Sequence, residues 1–294
     1  MSEPATPFAI RRILVALDAS PYSLAALEMA ANLAATMEAE LAGLFVEDVD
    51  LLRMADAPSA MEIAYPGEAS PMSRTIMEGK LRAQSEQIRN TLAAAADRAQ
   101  VRWSFRTVRG EVASALLAAV SQHDIVAIGR LGWSFARRPR IGSTALELAT
   151  SSIPLLLISQ RSALTNLRLL VYYDGSPASR NALQVAAKVA KSAAKAVTVL
   201  IAAGDYEHRV TEIRRLLHGQ ALDVQFRPID LNEEMSFSRA VKEEGSVLLV
   251  LAGRQLLKDR EAFETLLREV EVPLLVLGDG FGGREMEPPR RAVG

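Results

Sequence analysis

Twice in this chain an apolar run of strand length ends on an aspartate that is followed, two residues later, by serine and proline. Arg12 to Leu17 is closed by Asp18, Ser20 and Pro21, and Arg168 to Tyr173 is closed by Asp174, Ser176 and Pro177. At the same offset Ser179, Ala182, Leu183, Ala186, Ala187 and Ala190 repeat Ser23, Ala26, Leu27, Ala30, Ala31 and Ala34. So many coincidences at one offset point to a duplicated unit of about half the chain. Within each copy, serine suits a helix N-cap and proline the first helical position, so a strand leads directly into a helix.

The other apolar runs extend this pattern. Ile13 to Leu17 and Leu41 to Val46 are continuously apolar, as expected of strands in a parallel sheet covered on both faces. Helices are predicted from Pro21, from Arg74 to Ala99, from Val112 to Val120 and from Thr144, with strands at Val101 to Val108, Ile125 to Ile128 and Leu155 to Ile158. Glu47 to about Ser73 has no periodicity and carries Pro58, Pro66 and Pro71, and it reads as an inserted flap. Val197 to Ile201, Leu222 to Ile229, Val247 to Leu251 and Leu274 to Leu277 supply the later strands. The expected fold class is α/β, with two tandem Rossmann-like doubly wound domains, each a five-stranded parallel sheet with flanking helices. Their boundaries fall at 11–160 and 167–279, and a glycine-, proline- and arginine-rich tail, 280–294, is expected to be disordered.

Composition narrows the function classes. With 34 basic against 35 acidic side chains, nothing favours a nucleic-acid or anionic-membrane surface. The absence of cysteine excludes disulfides, thiol nucleophiles and cysteine-ligated metal, and three scattered histidines argue against a histidine metal site. The N-terminus has no apolar core of signal-peptide length and no later run approaches a membrane span, so the expectation is a cytoplasmic protein with no membrane insertion.

The richest stretch chemically is Asp124 to Thr144, DIVAIGRLGWSFARRPRIGST. An apolar strand breaks at Gly129, Gly132 follows, and after nine residues come Gly142, Ser143 and Thr144. Glycines permit close backbone approach and a helix start offers unpaired amides, an order of elements suited to an anion such as phosphate. Arg130, Arg137, Arg138 and Arg140 concentrate positive charge in the same loop, although a solvated loop accounts better for at least two of them. Thr144 with Glu147 also fits an ordinary capping box, either Gly129 or Gly132 alone would serve as a turn former, and Asp18 would serve to close a loop. Trp133 and Phe135 are expected to pack beneath the loop, and His123 is assigned no chemistry.

"ALDAS" at the end of the first strand, then "GRLG", nine residues and "GST", resembles the nucleotide-binding signature of the universal stress proteins, and the resemblance runs through both halves from about Arg11 to Gly278. It implies ATP, bridged by magnesium, between the first and fourth strands of the first half. By that resemblance Ala16, Leu17 and Asp18 border base and ribose, the backbone of Val46 reads adenine, and Ile128 packs nearby. Gly129, Arg130 and Gly132 approach ribose and phosphates, while Gly142, Ser143 and Thr144 donate hydrogen bonds to the phosphates. It also implies an intramolecular pseudo-dimer formed through Leu155 to Ile158 and Leu274 to Leu277, and leaves a homodimer open.

The second copy departs from the signature. By simple spacing Ala252 and Gly253 repeat Ile128 and Gly129, but Leu256 stands where Gly132 would be and Leu266 where Gly142 would be. Gly253 to Pro273 is five residues shorter than Gly129 to Pro154, and Asp259, Glu261 and Glu264 would repel phosphate at the following helix start. ATP binding is therefore expected in the first half alone, in a regulatory or stress-protective binding module with an unidentified protein partner. The alternative is a slow ATPase or other adenylate-handling enzyme, against which stands the lack of a histidine, lysine or carboxylate pair placed as a base.

Overall fold

The computed structural model describes residues 10–56, 61–64, 68–71, 73–121, 124–129, 143–150, 153–158, 168–193, 196–230, 236–245, 247–252, 265–267, 270 and 272–277. In chain order the first half holds β1 (Arg12–Leu17), α1 (Pro21–Met37), β2 (Glu40–Asp48), α2 (Val49–Ala55), β3 (Met61–Ala64), β4 (Glu68–Pro71), α3 (Arg74–Ala99), β5 (Trp103–Gly110), α4 (Val112–Ala119), β6 (Asp124–Gly129), α5 (Ser143–Thr150) and β7 (Leu155–Ile158). The second half holds β8 (Arg168–Tyr173), α6 (Pro177–Ala193), β9 (Val197–Ala202), a short 3-10 turn, α7 (Tyr206–Leu216), β10 (Val224–Ile229), α8 (Ser236–Glu244), β11 (Val247–Ala252) and β12 (Leu274–Leu277).

Ten of these strands form one continuous sheet in the order β10-β9-β8-β11-β12-β7-β6-β1-β2-β5. A five-stranded parallel sheet was expected in each half; the two runs of five are joined into one sheet at β12 and β7, the segments through which the resemblance implied that the halves meet, and this pair is antiparallel while every other pair in the sheet is parallel. Leu274, Leu275 and Val276 stand opposite Leu157, Leu156 and Leu155, all buried. Four-residue strands made wholly of leucine, isoleucine and valine leave no charge to blunt an open edge, so pairing them removes an edge that would otherwise template aggregation.

Helices cover both faces, as the apolar character of the strands on both sides demands. One buried core joins the sheet to α1, α3, α6 and α7, and the other joins its opposite face to α4, α5 and α8. The helix start after β1 forms as the serine-proline pair predicts: the Ser20 hydroxyl accepts from the Ser23 amide at 3.1 Å and Pro21 opens the helix. Among the described residues no helix is long and apolar enough to cross a membrane.

The segment read as an irregular flap is built differently. β2 continues to Asp48, whose carboxylate caps α2 by accepting from the Asp50 amide at 2.9 Å, and β3 and β4 then form a two-stranded antiparallel sheet of their own. Helix α2 buries only Leu52 and Ala55, too little apolar surface to show as a periodic pattern. The helix α7 between the second and third strands of the second half was also not anticipated. The strands expected at Val101 to Val108 and Leu222 to Ile229 begin two residues later, and the first runs on through Gly110. The junction 159–167 and the tail 280–294 lie outside the described residues.

The seam generates a test. Leu156→Ala removes a fully buried side chain at its centre and is expected to lower the unfolding free energy by about 2–5 kcal/mol, read from urea titration followed by circular dichroism.

Candidate functional site

In the first half β1 lies between β2 and β6, and the chain leaves β1 on one side to build β2 and β5 and returns on the other to build β6 and β7. A doubly wound sheet opens a crevice at such a point, beyond the carboxyl ends of the strands, because successive crossovers depart in opposite directions.

The wall beside β1 is a tight, self-bonded turn. The Asp18 carboxylate accepts from the Ser20 amide at 2.9 Å, and the Asp18 amide donates to the Ser23 hydroxyl at 3.3 Å, which itself donates to the Ser20 carbonyl at 3.1 Å. Gln84 reaches across from α3 and donates from Nε2 to the Asp18 carbonyl at 2.8 Å. Asp18 thus closes its own loop, one of the two roles open to it in the sequence, and its side chain remains exposed at the crevice. Between these residues Ala19 has φ 61°, a left-handed conformation that costs an L-residue about 1–2 kcal/mol.

The floor comes from strand alternation. Ala16, Val46 and Ile128 lie on the face covered by α4 and α5, together with Val108 of β5, a residue the sequence reading did not single out. Leu17 does not join them: its side chain is buried on the opposite face, among the residues that pack with α1 and α3. Only its backbone borders the crevice. Val108 was findable from parity, since it stands opposite Val46 in the β2–β5 register.

Val46 is placed by the phase of its strand. Glu40 donates its amide to the Arg11 carbonyl and Leu41 to the Arg102 carbonyl, so even-numbered residues of β2 direct their main-chain groups toward β1 and odd-numbered ones toward β5. The β1–β2 register ends at Leu17 opposite Phe45. Val46 is the next residue in the β1-facing phase, and its carbonyl falls past the last rung of that ladder, where a ligand amino group can reach it. Glu47, the next residue, is fixed by Arg109 at 2.8 Å, which also bonds Glu78 of α3 at 3.2 Å.

Gly129 ends β6 with a packing role of its own. A Cβ at this position would lie 2.7 Å from the Tyr22 Cβ and 2.9 Å from its carbonyl carbon, so the first turn of α1 sits directly against the end of β6. Across the crevice α5 starts at Ser143, with Thr144 half-buried in its first turn and Ala145 and Leu148 anchoring the helix in the core. The first-turn amides of such a helix lack intrahelical partners and suit an anion. Arg130, Gly132 and Gly142 lie outside the described residues, as do Trp133, Phe135 and His123. Among the described residues no group of three or more His, Cys, Asp or Glu side chains could hold a metal ion.

The second half repeats the turn and alters its surroundings. Asp174 accepts from the Ser176 amide at 2.8 Å and Ser179 bonds Ser176 as Ser23 bonds Ser20. Burial pushes the Asp174 carboxyl up, but the hydrogen bonds from Ser176 and Ser179 more than reverse this and leave it below its ordinary value. At the position of Ala19 stands Gly175, with φ 78°, and the Arg209 guanidinium occupies the space a Cβ there would need. The sheet register also corrects the comparison of the two glycine loops. Val15 stands opposite Ala127 and Val171 opposite Val250, so Ile128 and Gly129 correspond to Leu251 and Ala252, one residue earlier than simple spacing gave. Ala252 carries a Cβ at the position where, in the first half, Tyr22 leaves no room for one.

Residues 9–159 match the model of the universal stress protein family. Among solved structures the chain is similar to a universal stress protein from Archaeoglobus fulgidus, at 17% identity over 93% of this chain and 100% of that one, with a TM-score of 0.71. It is also similar to a Pseudomonas aeruginosa protein of unknown function, at 15% identity over 93% of this chain and 95% of that one, with a TM-score of 0.52. At these identities the likeness is one of fold. No curated protein sequence matches the chain.

Two stability measurements follow, both made without ligand. Ala19→Gly relieves the left-handed alanine at a smaller cost in unfolded-state entropy and is expected to stabilise the protein by about 0.5–1 kcal/mol. Gly129→Ala forces the first turn of α1 to move and is expected to cost about 1–3 kcal/mol in chemical denaturation.

Proposed function

The chain belongs to the universal stress protein family, and from that premise we propose that it is an ATP-binding module whose nucleotide lies in the crevice of the first half. The observation that carries this reading is the junction at the β1 switch point, where an apolar floor, an unladdered Val46 carbonyl and the start of α5 face one crevice. Ala16, Val108 and Ile128 suit the flat apolar faces of a purine, and the Val46 carbonyl can accept from its exocyclic amine. Asp18 borders the ribose, with the backbone of Leu17 beside it. Gly129, Arg130 and Gly132 would approach the ribose and phosphates, and Gly142, Ser143 and Thr144 would receive the phosphates at the helix start. Magnesium would enter with the nucleotide and offset the charge of its phosphates.

The second half is proposed to be a degenerate copy, a second universal stress protein domain that binds no ATP. The β7–β12 pairing supports reading the two copies as an intramolecular pseudo-dimer. The role that follows is that of a cytoplasmic regulatory or stress-protective protein whose output depends on nucleotide occupancy.

Titration of the purified chain with ATP, ADP and AMP beside Gly132→Leu, which puts a side chain where the signature has glycine, tests the site. The wild type is expected to bind ATP and the variant to lose most of that affinity while keeping its melting temperature. Equal affinity in both proteins, or none in either, would overturn the assignment.

A further inference from the structure

The two crevices differ most at the end of the first strand of each half. Ala16 stands opposite Leu44 on β2, and Tyr172 stands opposite Leu200 on β9, so the two occupy the same position at a constant offset of 156 (172 − 16 and 200 − 44). Both face the side of the sheet that carries the proposed base-binding floor. Tyr172 is only 5% exposed, and its ring meets Phe237 of α8 edge-on, with centroids 5.6 Å apart and planes at 83°. Burial, followed by the charge of Asp174, pushes its phenol up to about 12, so the ring is neutral at physiological pH. The corresponding helix over the first crevice, α4, buries only Ala113 and Leu116.

The floors differ accordingly. In the first half Ala16, Val46 and Val108 are part-exposed apolar residues above a buried Ile128. Of their counterparts, Tyr172, Ile229 and Leu251, matched to Ala16, Val108 and Ile128 through the shared register, are buried, and Ala202, matched to Val46, is part-exposed. At the position that Ala16 leaves small and part-exposed, the second copy has a buried aromatic ring packed against another, both supplied by the chain itself.

We infer that the second crevice is closed from within by the Tyr172–Phe237 pair, and that the size of the side chain at the position of Ala16 decides whether a half admits a purine ring. This rests on the ATP reading for the first half, but it makes a separate claim about the second. A shortened phosphate loop alone would still leave room for a nucleoside, whereas an occupied floor excludes the base whatever is attached to it. The plug is compatible with the fold, since Tyr172 is seated on the same strand position that Ala16 leaves small.

Calorimetric titration of the full chain with ATP and with adenosine distinguishes the two claims. The wild type is expected to bind one ATP per chain. Ala16→Tyr, or Ala16→Phe if the tyrosine variant does not fold, is expected to show no binding at concentrations that saturate the wild type, with its circular dichroism spectrum unchanged. Tyr172→Ala is expected to raise the adenosine stoichiometry by one site relative to wild type, because adenosine needs no phosphate loop. Wild-type ATP affinity in a folded Ala16 variant, or an unchanged adenosine stoichiometry in a folded Tyr172→Ala protein, would overturn the inference. A wild type that binds no ATP would instead overturn the site assignment, and the Tyr172→Ala arm would still decide whether the second crevice is plugged.

Discussion

Strands that are apolar on both faces cannot leave either face to water, and the architecture of this chain follows from that constraint. Each strand needs a helix above and a helix below, so the connections alternate sides and the strands run parallel within each half. Alternating sides, in turn, forces a point where neighbouring connections part. The crevice of the first half is therefore a geometric by-product of covering the sheet, available before any residue is chosen for binding. What the residues decide is whether the space stays open.

The duplicated half acts as an internal control on each feature of that space. The Asp-x-Ser-Pro turn survives in both copies with nearly the same hydrogen bonds, which identifies it as part of the strand-to-helix scaffold. A feature shared by an open and a covered crevice cannot by itself signify a ligand. The informative residues are those that differ: Ala16 against Tyr172, Gly129 against Ala252 and Ala19 against Gly175. The first contrast concerns access to the floor and the second the room left for a Cβ at the strand end. The third shows that the copy with the ligand candidate carries the strained backbone, while the other has a residue suited to that conformation.

Much of the fold was legible in the sequence because its strands are short continuous apolar runs and its helix starts carry serine-proline caps. Helix α2 and the β3–β4 pair were not, since elements of seven and four residues are too short to impose a period. The candidate site was legible as a set of positions but not as a geometry. Leu17 and Ala16 are neighbours in sequence, and only the direction of the pleat sends one to each core. The value of Val46 depends on hydrogen-bond phase and on where a ladder ends, neither of which is written in residue types. Likewise the one-residue displacement of Gly129 onto Ala252 emerges from pairing partners, because loop lengths before β6 and β11 differ and spacing alone loses the count.

The antiparallel pairing of β7 with β12 has a consequence in mass action. An interface between two separate chains weakens on dilution, and the population of the paired state then tracks protein abundance. Here both edges belong to one polypeptide, and each sees the other at an effective concentration fixed by the short junction between β7 and β8. Pairing across the centre of the sheet is thereby independent of how much of the protein a cell contains, and one copy can lose its capacity for ligand without being lost from the assembly.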